Sequence, residues 1–203
     1  MVISYYVSTK LTNALYDLNI IEKAKIDSYL FCFEYTFDIL LYNTSLIIIG
    51  ALLHNTLAAI LYMIIMFLLK TTAGGAHANS RITCSIFSYG LFFLILLLSH
   101  HIHYITVFSK LTENIALIGI LIIVFSIVIL APVDHPNKRF HGKEKQSLKI
   151  ACLFFIMITI IMLLIFYHYK QEQLCSIISL CLSAVLINQL IGIVNNRRVE
   201  NES

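Results

Sequence analysis

The chain has 203 residues, of which 59% are hydrophobic and only 12% are charged. A soluble domain carries roughly 45–50% apolar and about 25% charged residues, so this composition excludes a protein whose whole surface faces water. We predict a single integral membrane domain over 1–203. The net charge is +3, and the basic residues cluster in loops, a pattern that orients membrane proteins and does not indicate nucleic-acid binding.

The first thirty residues predict an amphipathic helix that lies in the membrane interface. Leu11, Leu15 and Leu18 recur at a spacing of three or four residues, whereas Asp17 falls on another face. The polar residues of this segment also argue against a secretory signal. Such a helix anchors the chain or docks a partner helix, and the sequence leaves both roles open.

Apolar runs long enough to cross a bilayer occupy most of the remaining chain. They predict a bundle over 35–194, followed by a tail over 195–203. The polar pair His54-Asn55 favours a break over one long tilted helix through 46–69. We therefore predict an all-α fold with about six spans, at 35–53, 56–69, 82–99, 115–131, 150–168 and 174–194.

Basic residues orient this arrangement. The loop at 132–149 holds five Lys or Arg side chains against two acidic ones, an excess that marks the cytoplasmic side. With six spans, the segment at 70–81, the N-terminus and the tail with Arg197-Arg198 fall on the same side. Both termini are thus predicted to be cytoplasmic.

A polar segment at 70–85 separates two apolar runs and places the thiol of Cys84 at the predicted membrane boundary. Cys84 lies close to the start of a helix that Asn79 or Ser80 can cap. There the helix dipole favours the thiolate, and the neighbouring Arg81 would add to that effect. Amides at the helix start are also candidates for stabilising an oxyanion.

His77 is the base that the same segment offers. On a continuous helix it would stand about 10.5 Å from Cys84 along the axis, too far for a hydrogen bond. A fold-back at Gly74-Gly75 would bring the two together, because glycine accepts backbone angles that other residues resist. A boundary histidine is also a common interfacial anchor and an apolar cysteine a common packing residue, so chemistry alone leaves both readings open.

Two strings of this sequence resemble motifs of the accessory gene regulator B (AgrB) family. One is Gly74-Gly75-Ala76-His77-Ala78 followed by Cys84, and the other is the stretch at 131–138, which resembles the family's loop after the fourth span. Glu34 holds a place where the family carries an acidic residue. Size, span number and basic loops resemble the family over nearly the whole chain.

The resemblance implies a cysteine endopeptidase of the bacterial cell membrane, with a cytoplasmic active site, that processes the quorum-sensing propeptide AgrD. Cys84 would attack near the C-terminus of the propeptide with His77 as general base. The upstream part would remain as an acyl-thioester, and a propeptide cysteine would then close a thiolactone. No cofactor is implied, the partners are the propeptide and the lipid bilayer, and a homodimer is expected.

Further residues are candidates for supporting roles. Lys70 stands where the family carries a basic residue, and it either binds the acidic propeptide tail or extends its amine to the interface. Glu34 is a candidate to orient His77, or to pair with Lys70 or Arg81. Asp38 competes with Glu34 for that role.

Three other functions compete with the peptidase. The cluster His100, His101 and His103 has the chemistry of a metal site, but no carboxylate lies nearby, and no metal is predicted. Asn188-Gln189 in the last predicted span would line the path of a small transporter or bridge helices. A non-catalytic adaptor that binds its partner through the N-terminal helix is the third alternative.

Overall fold

The computed structural model of the protein describes residues 2–76, 80–106, 110–134 and 140–202. At 2–3, 81, 101–106, 110–116 and 198–202 the description covers the backbone alone. These residues form an all-α fold, and a short 3-10 turn at Lys23–Lys25 precedes the second α-helix. The helices are α1 (Val2–Asp17), α2 (Ile26–Leu52), α3 (Thr56–Ala73), α4 (Arg81–Thr106), α5 (Lys110–Leu130), α6 (Gly142–His168) and α7 (Glu172–Glu202).

The predicted all-helical membrane fold is confirmed. Among the described residues, five stretches are long and apolar enough to cross a membrane: Lys23–Leu52, Thr56–Ala73, Ile82–His100, Gly142–His168 and Glu172–Arg197. Within α5, the shorter stretch Leu117–Leu130 is apolar. Each of the helices α2 to α7 overlaps one of the six predicted spans, and the number that cross a bilayer stays a prediction.

The chain divides into two compact units, the first of which is Met1–Thr56. In it α1 packs against α2, and small polar side chains at a four-residue spacing, Ser4, Ser8 and Thr12, are buried. Small side chains of this kind allow two helices to approach closely. Leu11 and Leu18, from the predicted apolar face, are exposed.

The boundaries of these first helices differ from the predicted ones. Helix α1 ends at Asp17, and α2 begins at Ile26 although the predicted span begins at 35. Acidic residues shorten an apolar run without breaking a helix. Asp27 lies in the first turn of α2, where the helix dipole favours a negative charge.

The predicted break at His54 is present. His54 has a φ of 55°, and the amide of Asn55 donates to the carbonyl of Gly50 at 2.7 Å. The amide of His54 donates to the carbonyl of Ala51 at 3.1 Å, which completes the hydrogen-bond pair that ends many helices. Helix α2 therefore stops at Leu52, and α3 begins at Thr56.

The second unit, Leu57–Ser203, is organised around α7. Helix α7 packs against α4, α5 and α6, and its buried side chains include Ile178, Leu182 and Gln189. Helix α3 contacts α4 through a hydrogen bond that the Tyr62 hydroxyl donates to the Ser88 carbonyl at 2.8 Å. Helix α7 continues to Glu202, so the predicted tail at 195–203 is helical over its described residues.

Candidate active site

Cys84 is the fourth residue of α4, and its side chain is half-buried. Ser80 caps this helix, because its Oγ accepts a hydrogen bond from the Thr83 amide at 3.1 Å and lies 2.7 Å from Thr83 Oγ1. The amide of Cys84 donates to the Ser80 carbonyl at 3.0 Å. The helix start expected at Asn79 or Ser80 is thus at Ser80, and the thiol lies in the first turn.

These hydrogen bonds limit which amides can stabilise an oxyanion. The amides of Thr83 and Cys84 both donate to Ser80. An oxyanion hole built from this helix end would therefore use the amide of Arg81 or Ile82. Arg81 opens α4, and its side chain lies outside the described residues.

His77 lies outside the described residues, together with Ala78 and Asn79. The structure describes the chain on both sides of this segment, up to Ala76 and again from Ser80. Pairing of His77 with Cys84 therefore stays a prediction.

The Gly74-Gly75 pair, where the sequence suggested a fold-back, is tightly packed. The two φ angles are +72° and +129°, in the region that favours glycine. Gly74 pairs with Val133 in an isolated parallel bridge, and a Cβ on Gly74 would clash with the Val133 carbonyl. A Cβ on Gly75 would meet the Asn188 side chain. Glycine is required here for close approach.

Helix α7 holds the chain around this pair. The amide of Ala76 donates to the Asn188 carbonyl at 3.1 Å, and Gln189 Nε2 donates to the Ala73 carbonyl at 3.1 Å. A Cβ on Gly192 would lie 2.8 Å from the Cα of Gly75. Of the two roles open to Asn188-Gln189, the observed contacts are those of a bridge between segments.

The loop after α5 joins the same cluster. The amide of Val133 donates to the Ala73 carbonyl at 2.9 Å, and Asn196 Nδ2 donates to the Asp134 carbonyl at 2.7 Å. The Asp134 carboxylate accepts from the Phe140 amide at 3.1 Å and lies 3.6 Å from Lys145 Nζ. The two strings that resemble family motifs thus meet where Gly74 pairs with Val133.

The remaining candidates lie on separate elements. Lys70 is half-buried in the last turn of α3, where a cation complements the helix dipole. Glu34 and Asp38 lie one turn apart on α2 in the first unit, so their parts in the site stay predictions. The side chains of His101 and His103 are outside the described residues. Among the described residues, no group of three or more metal-binding side chains occurs.

A family model described as Accessory gene regulator B matches residues 5–191, which include both strings and Cys84. The chain belongs to the accessory gene regulator B family. It is 30% identical over 137 residues to the "Putative AgrB-like protein" of Clostridium perfringens (strain SM101 / Type A). It is 27% identical over 137 residues to the "Putative AgrB-like protein 2" of Clostridium perfringens (strain 13 / Type A).

Each alignment covers 61% of this chain and 60% of the relative. The chain thus spans less than two thirds of the length of these curated relatives. None of the solved structures matches it significantly. The family match includes Asn188 and Gln189 and ends before Gly192 and Asn196.

Sequence reasoning missed Gly192, Asn196 and the pairing of Gly74 with Val133. A glycine within an apolar helix is a signal of close backbone approach, and Gly192 could have been read in that way. The partner of that glycine is more than one hundred residues away in the chain, and a local pattern does not identify it.

Proposed function

We propose that this protein is a membrane cysteine endopeptidase that cleaves an AgrD-like quorum-sensing propeptide and promotes its closure to a thiolactone. The observation that carries the proposal is the position of Cys84. Its half-buried thiol lies in the first turn of a capped helix, directly after the segment that holds His77, in a chain of the accessory gene regulator B family.

The reaction begins with activation of the thiol. His77 takes the proton from Cys84, and the thiolate attacks the carbonyl carbon of the scissile peptide bond. Cys84 lies within the first turn of α4, at the positive end of the helix dipole. Amides at the start of α4 are candidates to stabilise the oxyanion of the tetrahedral intermediate.

Formation of the acyl-enzyme then separates the two parts of the propeptide. The intermediate collapses as His77 returns its proton to the leaving amine, and the C-terminal part of the propeptide departs. The upstream part remains as a thioester on Cys84. A propeptide cysteine attacks this thioester and regenerates the enzyme thiol. One thioester replaces another, so no nucleotide is consumed, and exclusion of water from the site prevents hydrolysis.

Supporting residues have narrower roles in this proposal. Lys70 would attract the acidic tail of the propeptide, and Glu34 would orient His77 or neutralise a neighbouring cation. We place the site and both termini on the cytoplasmic face of a bacterial cell membrane, because the basic loops favour that side. The bilayer and the propeptide are the expected partners, and the chain is proposed to act as a homodimer.

The proposal is tested by co-expression with an AgrD-like propeptide and mass spectrometry of the products. Cys84→Ala should bind the propeptide and release no shortened peptide. His77→Ala should lower the cleavage rate by roughly 100- to 10,000-fold, the contribution typical of a general base.

Cys175 provides a matched control for the nucleophile. It is half-buried, is the fourth residue of α7 and donates its amide to the Gln171 carbonyl at 3.1 Å, as Cys84 does to Ser80. Cys175→Ala should cleave at the wild-type rate. Normal cleavage by Cys84→Ala would refute the mechanism. A transporter should instead tolerate Cys84→Ala and still move its solute.

A further inference from the structure

Gln189 is a buried polar side chain in the middle of an apolar helix bundle. Its side chain is fully buried on α7, and Nε2 donates to the Ala73 carbonyl at 3.1 Å, with a longer contact of 3.4 Å to the Ile127 carbonyl. A buried amide is costly in such surroundings unless its polar atoms are hydrogen-bonded. Because Gln189 is buried, it is not placed to touch a substrate directly.

Both carbonyls that Gln189 reaches already have main-chain partners. The Ala73 carbonyl accepts from the Val133 amide at 2.9 Å, and the Ile127 carbonyl accepts from the Ala131 amide at 2.9 Å. Neither carbonyl would be left unpaired if Gln189 lost its amide group. The described residues offer no hydrogen-bond partner to Gln189 Oε1. The hydrogen bonds of Gln189 are therefore expected to contribute little to the stability of the bundle.

The position of Gln189 in the fold better explains a glutamine at this site. Ala73 is the last residue of α3, so Gln189 holds the point where the chain leaves that helix and turns through Gly74 and Gly75. One turn further along α7, a Cβ on Gly192 would lie 2.9 Å from the Ala76 nitrogen. The Ala76 amide donates to the Asn188 carbonyl at 3.1 Å.

This α7 contact ends one residue before the proposed general base. Ala76 directly precedes His77 in the chain. The contacts of α7 therefore fix the main chain at the residue before that histidine. Helix α7 also packs against α4, the helix that carries Cys84. One helix is therefore in contact with both chain segments that the proposed dyad requires.

We infer that Gln189 and Gly192 are positioning residues, which hold the chain at 73–76 so that His77 reaches Cys84. This inference rests on the proposed function. A displacement of about 1 Å in a supporting residue can lower a rate by about 100-fold, although the substrate still binds. Loss of either contact should consequently affect the chemical step more than propeptide binding.

The test uses the purified full-length protein and two variants, Gln189→Leu and Gly192→Ala. Leucine has nearly the volume of glutamine and lacks the amide, whereas alanine at 192 pushes the chain at Gly75 and Ala76 away. We expect kcat for propeptide cleavage to fall about 10- to 100-fold, with KM within about twofold of the wild-type value. Gln189→Leu should unfold at a temperature equal to or above that of the wild type.

A second measurement tests the pairing of His77 with Cys84 in the absence of substrate. Cys84 is alkylated with iodoacetamide over a range of pH, and the extent is followed by mass spectrometry of the Cys84 peptide. The pH profiles of both variants should move toward the profile of His77→Ala. Two matched controls, Gln173→Leu at the other end of α7 and Gly90→Ala, where a Cβ meets nothing within 4 Å, should keep the wild-type profile.

The two proposals fail in different ways. If His77→Ala changes neither cleavage nor alkylation, the Cys–His mechanism itself is wrong. If His77→Ala changes both while Gln189→Leu and Gly192→Ala change neither, the inference about α7 is overturned. It is also overturned if KM rises as much as kcat falls, or if both variants fail to fold, because the contacts would then serve binding or stability.

Discussion

Gly74 and Gly75 adopt backbone conformations and contact distances that side chains do not tolerate. Their φ angles are positive, Gly74 lies against the Val133 main chain, and Gly75 lies against Asn188 and Gly192. Because the pair is packed on two sides, the path of the chain at 74–76 is fixed. If His77 is the general base, as proposed, such restraint would favour the short and defined distance that proton transfer requires.

Gly75→Ala should destabilise the protein by about 1–3 kcal/mol, the usual cost of forcing extra volume into a packed site. The added methyl group meets the Asn188 side chain and main chain. Thermal unfolding in detergent measures the change. Gly90→Ala is the control, and because Gly90 is helical with open space around it, this variant should be stabilised by about 0.5–1 kcal/mol. Equal melting temperatures for the two variants would contradict the packing described here.

At the scale of elements, the start of α4 combines a cap with the proposed nucleophile. Ser80 accepts from the Thr83 amide, and Cys84 follows within the same turn. A cap that keeps the first turn intact also keeps the thiol near the positive end of the dipole. Fraying of this turn would affect stability and thiol reactivity together.

Ser80→Ala should lower the free energy of unfolding by about 1 kcal/mol, the typical cost of a lost N-cap, and should slow alkylation of Cys84 at neutral pH. Ser80→Asp should retain the stability, because a carboxylate caps equally well. Ser183→Ala is the matched control, since Ser183 Oγ donates to the Ser179 carbonyl within α7 and caps no helix. Unchanged alkylation in Ser80→Ala would argue against a role of the cap in reactivity.

At the scale of the whole molecule, charge placement predicts the orientation in the membrane. The start of α6 is exposed and rich in lysine. The rest of α6 is a long apolar stretch, and the junction with α7 lies at the far end of it. Helix α6 has 27 residues, so its two ends stand about 40 Å apart, enough to separate them on opposite faces.

Lys143→Cys and Gln171→Cys test this orientation as a matched pair, in a background where the native cysteines are replaced. Both positions are exposed, and they lie at opposite ends of α6. A membrane-impermeant maleimide should label Gln171→Cys in intact cells and Lys143→Cys only after permeabilisation, because the lysine-rich loop is expected inside. The reverse pattern would place the proposed active site outside the cell.

Local patterns predicted the helices well and the packing poorly. The apolar runs located α2 to α7, and the break at His54 was found from its polar neighbours. The start of α2 was missed because Asp27 and Glu34 end an apolar run and still belong to a helix. The packing of the glycine pair was missed because its partners Val133, Asn188 and Gly192 are distant in the chain.

The sequence by itself determined a helical membrane protein, the positions of its helices, and the cysteine and histidine that resemble a family motif. These properties follow from composition, apolar length and short motifs, which are local in the chain. Only the tertiary structure brought Gly74 to Val133 and Ala76 to Asn188. Contacts of this kind depend on how whole helices pack, and α7, the last helix in the chain, supplies the surface on which the segment before His77 is held.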